Sequence, residues 1–161
     1  MDTLRVIALV AATLTTGLMA GFFYSYVCSV MPGLRRADDR TFVGAMQQIN
    51  VAIINGWFFL CFLGAAATIA LAVALHFAGD GPRLLPWLLA ALVLYAAQLG
   101  ITFAVNVPLN DELGAAGAPD GMAGLADVRE RFETRWVRWN LARTLAATAA
   151  FGCLIAALLA A

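Results

Sequence analysis

Four long apolar stretches, running roughly over 4–30, 55–77, 84–105 and 140–160, govern what this chain can become. Each is close to the ~20 residues an α-helix needs to cross hydrocarbon. Inside a bilayer no water satisfies backbone N–H and C=O groups, so segments of this length must close their hydrogen bonds internally as helices. The expected fold is therefore all-α: an integral membrane four-helix bundle forming a single domain over 1–161. Composition agrees, with 63% hydrophobic residues, 12% charged residues and a mean hydropathy of +0.85. Soluble domains carry about a quarter charged residues. Four crossings put both termini on one side of the membrane and the 31–54 and 106–139 connections on the other.

Polar side chains within the apolar stretches are concentrated at the end that bears these two connections. Tyr24, Ser25, Tyr26 and Cys28 lie there in the first stretch, Asn55 and Trp57 in the second, Thr102 and Asn106 in the third, and Asn140, Arg143 and Thr144 in the fourth. The opposite end has little beyond Arg5, His76, Asp80 and Arg83. Polar groups in hydrocarbon are costly and turn toward a bundle interior or a wet cavity, so this asymmetry predicts a pocket opening toward the long connections. Eight of the ten arginines also belong to that side, which by the positive-inside bias makes the long loops cytoplasmic. Eight of the ten acids accompany them, so the face is highly charged without being a cationic surface for nucleic acid. Arg5 precedes an apolar run that reaches Val30, well beyond the roughly 7–15 residues of a secretion-signal core, and the run reads as a retained span. An alanine-rich chain whose basic residues are all arginine fits a GC-rich bacterium, and so a multi-pass protein of the bacterial cytoplasmic membrane.

Local signals refine the outline. Gly17 and Gly21 form a small-xxx-small ridge suited to close helix packing or to homo-oligomerisation. Met31-Pro32-Gly33 is expected to end the first helix and Pro108 the third, because proline cannot continue the hydrogen-bond ladder. Between spans one and two, Phe42, Met46, Ile49 and Ile53 recur at helical spacing, predicting a short interfacial helix or an extension of the second span, with Asp38 or Asp39 as its N-cap. Gly79-Asp80-Gly81-Pro82 predicts a tight turn, and 114–124 a loop rich in glycine and alanine. Tyr95, Gln98, Thr102 and Asn106 follow an i, i+3, i+7, i+11 pattern that puts them on one inward helix face. A last helix is expected from about Leu125, charged through Arg138 and apolar beyond.

His76 is the only histidine, which excludes a multi-histidine metal site by inventory, and Cys28, Cys61 and Cys153 have no paired spacing. Neither a phosphate-binding loop nor a dinucleotide fingerprint is present, so the sequence calls for no cofactor and no metal. What converges instead is a set of aromatic, amide and guanidinium groups. Trp136, Asn140 and Arg143 share one helix face at i, i+4 and i+7, level with Asn106 and Asn110, Asn55 with Trp57, and Tyr24 with Tyr26. Individually, Arg143 reads as a snorkelling side chain and the tryptophans as belt residues. Together they suit a flat, weakly acidic aromatic molecule taken from the membrane: Tyr and Trp rings would stack on it, and Asn amides with Arg143 would stabilise an oxyanion if a proton were removed. Asp111 or Glu133 would take the proton, unless it serves as a cap or a salt-bridge partner.

The segments FFYSYVCSVMPGL (Phe22 to Leu34), FVGAMQQIN (Phe42 to Asn50), NVPLND (Asn106 to Asp111) and RWVRWNLART (Arg135 to Thr144) resemble the anthrone-oxygenase-like family of small four-helix membrane proteins. The resemblance extends over essentially the whole chain. It implies oxidation of an anthrone or another reduced polycyclic phenol to a quinone by O2 without metal or flavin. The expected partners are then a hydrophobic aromatic small molecule, O2 and membrane lipids. Tyr24, Tyr26, Asn55, Trp57, Gln98, Thr102 and Trp136 would form the binding site, and Asn106, Asn140, Arg143 and Asp111 the catalytic set. The competing reading is a non-enzymatic four-helix module that binds a lipid, a quinone or a partner helix.

Overall fold

The computed structural model describes residues 3–77, 83–121 and 124–161. Among the described residues the regular structure is entirely helical: α1 is Thr3–Ser25, α2 Met31–Leu34, α3 Asp39–Ala52, α4 Gly56–Phe77, α5 Leu85–Ile101, α6 Val107–Ala115 and α7 Leu125–Ala160. π-Helical turns at Tyr26–Val30 and Thr102–Asn106 join α1 to α2 and α5 to α6, giving the continuous rods Thr3–Leu34 and Leu85–Ala115. With α4 and α7 these are four helices long and apolar enough to cross a membrane, as the hydropathy pattern requires. The turn expected at 79–82 lies outside the described residues.

Pro32 and Pro108 do not end their helices, which corrects the sequence expectation. Just before each, the backbone widens by one residue: the Met31 N–H donates to Tyr26 O, and the Val107 N–H to Thr102 O. Each proline then falls in the first turn of the next α-segment, where its missing N–H is not needed and its fixed φ suits the helix. The first and third spans therefore continue past the expected stops, and α6 runs through Pro108 to Ala115, two residues into the 114–124 stretch expected to be a loop.

α1 packs against α4 and α7, and α5 against α7. Ala12, Ala65, Ala72, Ala91, Ala147, Ala150 and Ala157 are fully buried at these seams, and such small side chains bring helix backbones together. Gly17 makes room for Phe151, whose Cε2 would lie 2.8 Å from an added Cβ, whereas nothing lies within 4 Å of a Cβ at Gly21. His76 is buried near the end of α4 with Nδ1 2.7 Å from Ala72 O.

α3 is a separate helix across the loop-bearing end rather than an extension of α4. Asp38 caps it, accepting from Thr41 N at 2.9 Å and Thr41 Oγ1 at 3.0 Å. Phe42, Val43 and Met46 are buried, with the Phe42 ring 6.2 Å from that of Phe132 on α7. Arg129 fastens this roof, donating to Asp39 Oδ1 at 2.9 Å, Glu133 Oε2 at 2.8 Å and the carbonyls of Ala37 and Arg35 at 3.0 Å each. Arg35 adds a 2.7 Å bond to Glu133 Oε1, and Arg40 pairs with Asp120. Much of the charge counted on the loop side is therefore spent on joining α3 to its neighbours.

Candidate active site

Beneath α3 the four spans enclose a cavity of about 780 Å³, walled by α1, α4, the α5–α6 rod and α7. It lies at the end predicted from the polar asymmetry. Its floor is Arg143, only 6% exposed. Seven residues of α7 separate Arg143 from Trp136, about 10 Å along the axis, and the Arg143 side chain reaches back along the helix toward the Trp136 ring. The guanidinium donates from Nε to Asn140 Oδ1 at 3.0 Å and from Nη1 to Thr102 Oγ1 at 3.4 Å. Its central carbon is 4.4 Å from the Phe23 ring centroid and 5.3 Å from that of Trp136. Among the described residues no carboxylate forms a salt bridge with it. Arg143 does not snorkel outward; it is a buried cation held by aromatic faces and neutral oxygens.

The walls are largely aromatic. Tyr26 stands 5.4 Å from both Phe22 and Trp136, and Phe58 stacks on Phe62 at 5.0 Å. Trp136 Nε1 donates to Asn110 Oδ1 at 2.8 Å, which fixes the indole against α6. Gln48 and Asn50 of α3 line the roof, and Asp111 is the one carboxylate residue among the described lining residues. Gln47 holds α3 in place by donating to the carbonyls of Leu113 at 2.8 Å and Gly117 at 2.9 Å.

The structure sorts the sequence candidates by position. Tyr26, Thr102, Trp136, Arg143 and Asp111 line the cavity together. Asn140 lies behind Arg143 and orients it, its own Nδ2 donating to Phe23 O at 3.4 Å. Asn106 is fully buried and donates to Trp136 O at 3.4 Å, bracing the α7 wall from behind. Gln98 is also buried, below Thr102, whose hydroxyl donates to Gln98 O at 2.9 Å. Three candidates lie off the cavity. Tyr24 is 57% exposed and Trp57 82% exposed on the outer surface, because each is turned about 100° around its helix from its inward neighbour, Phe23 or Phe58. Asn55 is consumed as the cap of α4, accepting from Phe58 N at 3.0 Å and donating to Ala52 O at 2.8 Å. Glu133 is engaged by Arg35 and Arg129 at the roof joint.

Sequence reasoning missed the phenylalanine walls and the α3 amides. Phe58 and Phe62 are spaced i, i+4, which reads as ordinary packing. Gln47, Gln48 and Asn50 lie off the apolar row Phe42, Met46, Ile49 and Ile53 of α3, and spacing alone does not show that this side turns toward the bundle. Among the described residues no three His, Cys, Asp or Glu side chains converge as a metal site would require.

Neither a curated protein nor a solved structure matches the chain. The family model for anthrone oxygenase matches residues 57–153. That stretch runs from the start of α4 nearly to the end of α7 and includes Thr102, Asp111, Trp136 and Arg143. With well over half of its length matched, the chain belongs to the anthrone oxygenase family.

Proposed function

We propose that this protein is a membrane oxygenase that oxidises an anthrone-like or other reduced polycyclic phenol to a quinone with O2 in the cavity above Arg143, with no cofactor taking part. The observation that carries the reading is the charge at the floor: a buried guanidinium, with no carboxylate partner among the described residues, faces an aromatic chamber. Burying an ion costs several kcal/mol even after relaxation, so such a group favours an anion delivered by the ligand. A planar phenol supplies the rings that the Phe and Trp walls favour and, once deprotonated, the negative oxygen that Arg143 favours. Family membership supports the same chemistry.

The reaction follows from these groups. Asp111 removes a proton from the methylene carbon, and the C–H electron pair moves onto the carbonyl oxygen as an enolate held by Arg143. Asn140 and Thr102 keep the guanidinium aimed at that oxygen. The enolate gives one electron to O2, and the resulting radical pair joins to form a carbon–peroxide bond, protonated from Asp111. Asp111 then takes the second methylene proton. The C–H pair becomes the new C=O bond, the O–O bond breaks, and the departing hydroxide leaves as water with that proton. One substrate and one O2 give one quinone and one water.

The arginine bias supports an orientation with the roof and cavity mouth on the cytoplasmic side of a bacterial membrane. The test is O2 uptake and quinone absorbance when detergent-purified protein meets an anthrone under air. Protein-dependent uptake equal to quinone formed is expected. No turnover across anthrones, naphthols and hydroquinones, with a lipid or quinone retained by the protein, would replace the enzyme by a binding module.

A further inference from the structure

The cavity has two different rims. Toward the loops it is bounded by Gln48, Asp111, Gly117 and Ala118. On its flank it is bounded by Val51, Ile54, Phe59 and Phe103, which line the chamber yet keep 69%, 71%, 41% and 55% of their surface exposed. All four are apolar, and they follow the seam between α4 and the α5–α6 rod. Lower in that seam, Tyr95 donates from its hydroxyl to Phe62 O at 2.8 Å and ties α4 to α5. Above this tie the ring of Phe103 meets Phe62 edge-on at 5.9 Å, and nearer the roof the α3–α4 corner bounds the opening. Phe103 belongs to the π-turn Thr102–Asn106, where the helix is one residue wider. π-Turns are common at functional sites because they re-aim a side chain within a continuous helix.

From this geometry we infer a lateral portal: the ligand enters sideways from the lipid between α4 and the α5–α6 rod, with Phe103 and Phe59 as the gate. The inference rests on the cavity being the ligand site proposed above. It specifies the form in which the ligand arrives, neutral and dissolved in the acyl chains, acquiring charge only over Arg143. A molecule already ionised in water would meet Asp111 at the polar rim, where like charge opposes it.

The test uses 1,8-dihydroxyanthraquinone loaded into lipid nanodiscs, with exchange into the protein followed by stopped-flow probe fluorescence. A gate changes association and dissociation together and leaves their ratio nearly constant. Phe103→Ala should speed both about tenfold and Phe103→Trp should slow both by a similar factor, within the range over which association rates respond to access. Phe59→Ala should act in the same direction as Phe103→Ala and serves if the first variant is poorly folded. Ala118→Trp, a plug at the polar rim, should leave exchange of this probe unchanged. If exchange is slowed by Ala118→Trp and is indifferent to Phe103 and Phe59, the portal is wrong while the cavity stands. If the wild type binds no probe, the ligand site itself is wrong and the portal with it.

Discussion

Replacing Arg143 by methionine separates a functional charge from a structural one. In the native protein the guanidinium gains two cation–π contacts, worth about 1–2 kcal/mol each when desolvated. It also gains one well-formed and one long hydrogen bond, together about 2–3 kcal/mol. These gains of roughly 5 kcal/mol oppose a desolvation cost of several kcal/mol, so the side chain is close to neutral for stability. Methionine keeps much of the volume and removes the cost, but it leaves Asn140 Oδ1 without its donor, a loss of about 1–3 kcal/mol. The net change in unfolding free energy should therefore be within about 2 kcal/mol of zero, whereas turnover should fall about 10²–10³-fold, the effect of removing one oxyanion donor. Thermal unfolding in detergent and anthrone-dependent O2 uptake measure the two quantities on one preparation. A stable Arg143→Met protein with native turnover would refute the oxyanion role. An inactive protein that has lost far more stability would show that the cation is structural.

Other perturbations read separate parts of the argument. Asp111→Asn should lower turnover about 10²–10⁴-fold, as loss of a general base does, while 1,8-dihydroxyanthraquinone still binds; unchanged turnover would remove Asp111 from the mechanism. Glu133→Gln breaks two ion pairs at the roof, so unfolding measurements should register it while chemistry at the cavity continues; loss of turnover at full stability would instead make Glu133 the base. Gly17→Leu should cost about 1–3 kcal/mol by overpacking against Phe151 and be partly restored by Phe151→Ala, whereas Gly21→Ala should be silent in the same melts. The hydrogen bonds from Thr41 N and then Thr41 Oγ1 hold the Asp38 carboxyl below the usual carboxylate range. Because this pKa is depressed in the folded state, the cap's contribution is present above the ordinary carboxylate pKa and is lost as pH falls through the lower folded value. Asp38→Ala should remove that part of the acid limb of a melting-temperature profile.

The spans were legible because hydrocarbon leaves the backbone few choices, and the polar row Tyr95, Gln98, Thr102 and Asn106 was legible because such groups must face inward. All four are buried. Their division of labour was not legible, since spacing places residues on a face without saying what lies opposite. Tyr95 meets a carbonyl of α4, Asn106 a carbonyl of α7, and only Thr102 reaches the chamber. Tyr24, Asn55 and Trp57 were grouped with the site by depth alone, and depth does not resolve the azimuth around a helix. The roof was hidden for a related reason. Gln48 and Asn50 look like a solvated face until Arg129, Gln47 and the Phe42–Phe132 contact fix which way α3 turns, and those contacts connect residues far apart in the chain.

The two prolines show how a local rule failed in a way that bears on function. Read alone, Pro32 and Pro108 stop a helix. In the structure each follows a π-turn, and the two π-turns supply Tyr26 on one wall and Thr102 with Phe103 on another. A proline cannot donate to the turn beneath it, and the backbone accommodates this by widening rather than by ending. The widening changes the facing of every residue that follows by about a quarter turn, the 100° one helical residue subtends. It thus allows the α5–α6 rod to present Thr102 toward Arg143 at the start of the bulge and Val107, Asn110 and Asp111 toward the same cavity beyond it. The helix interruptions that sequence rules treat as boundaries are here part of how one continuous rod supplies the support for the cation, the gate and the base.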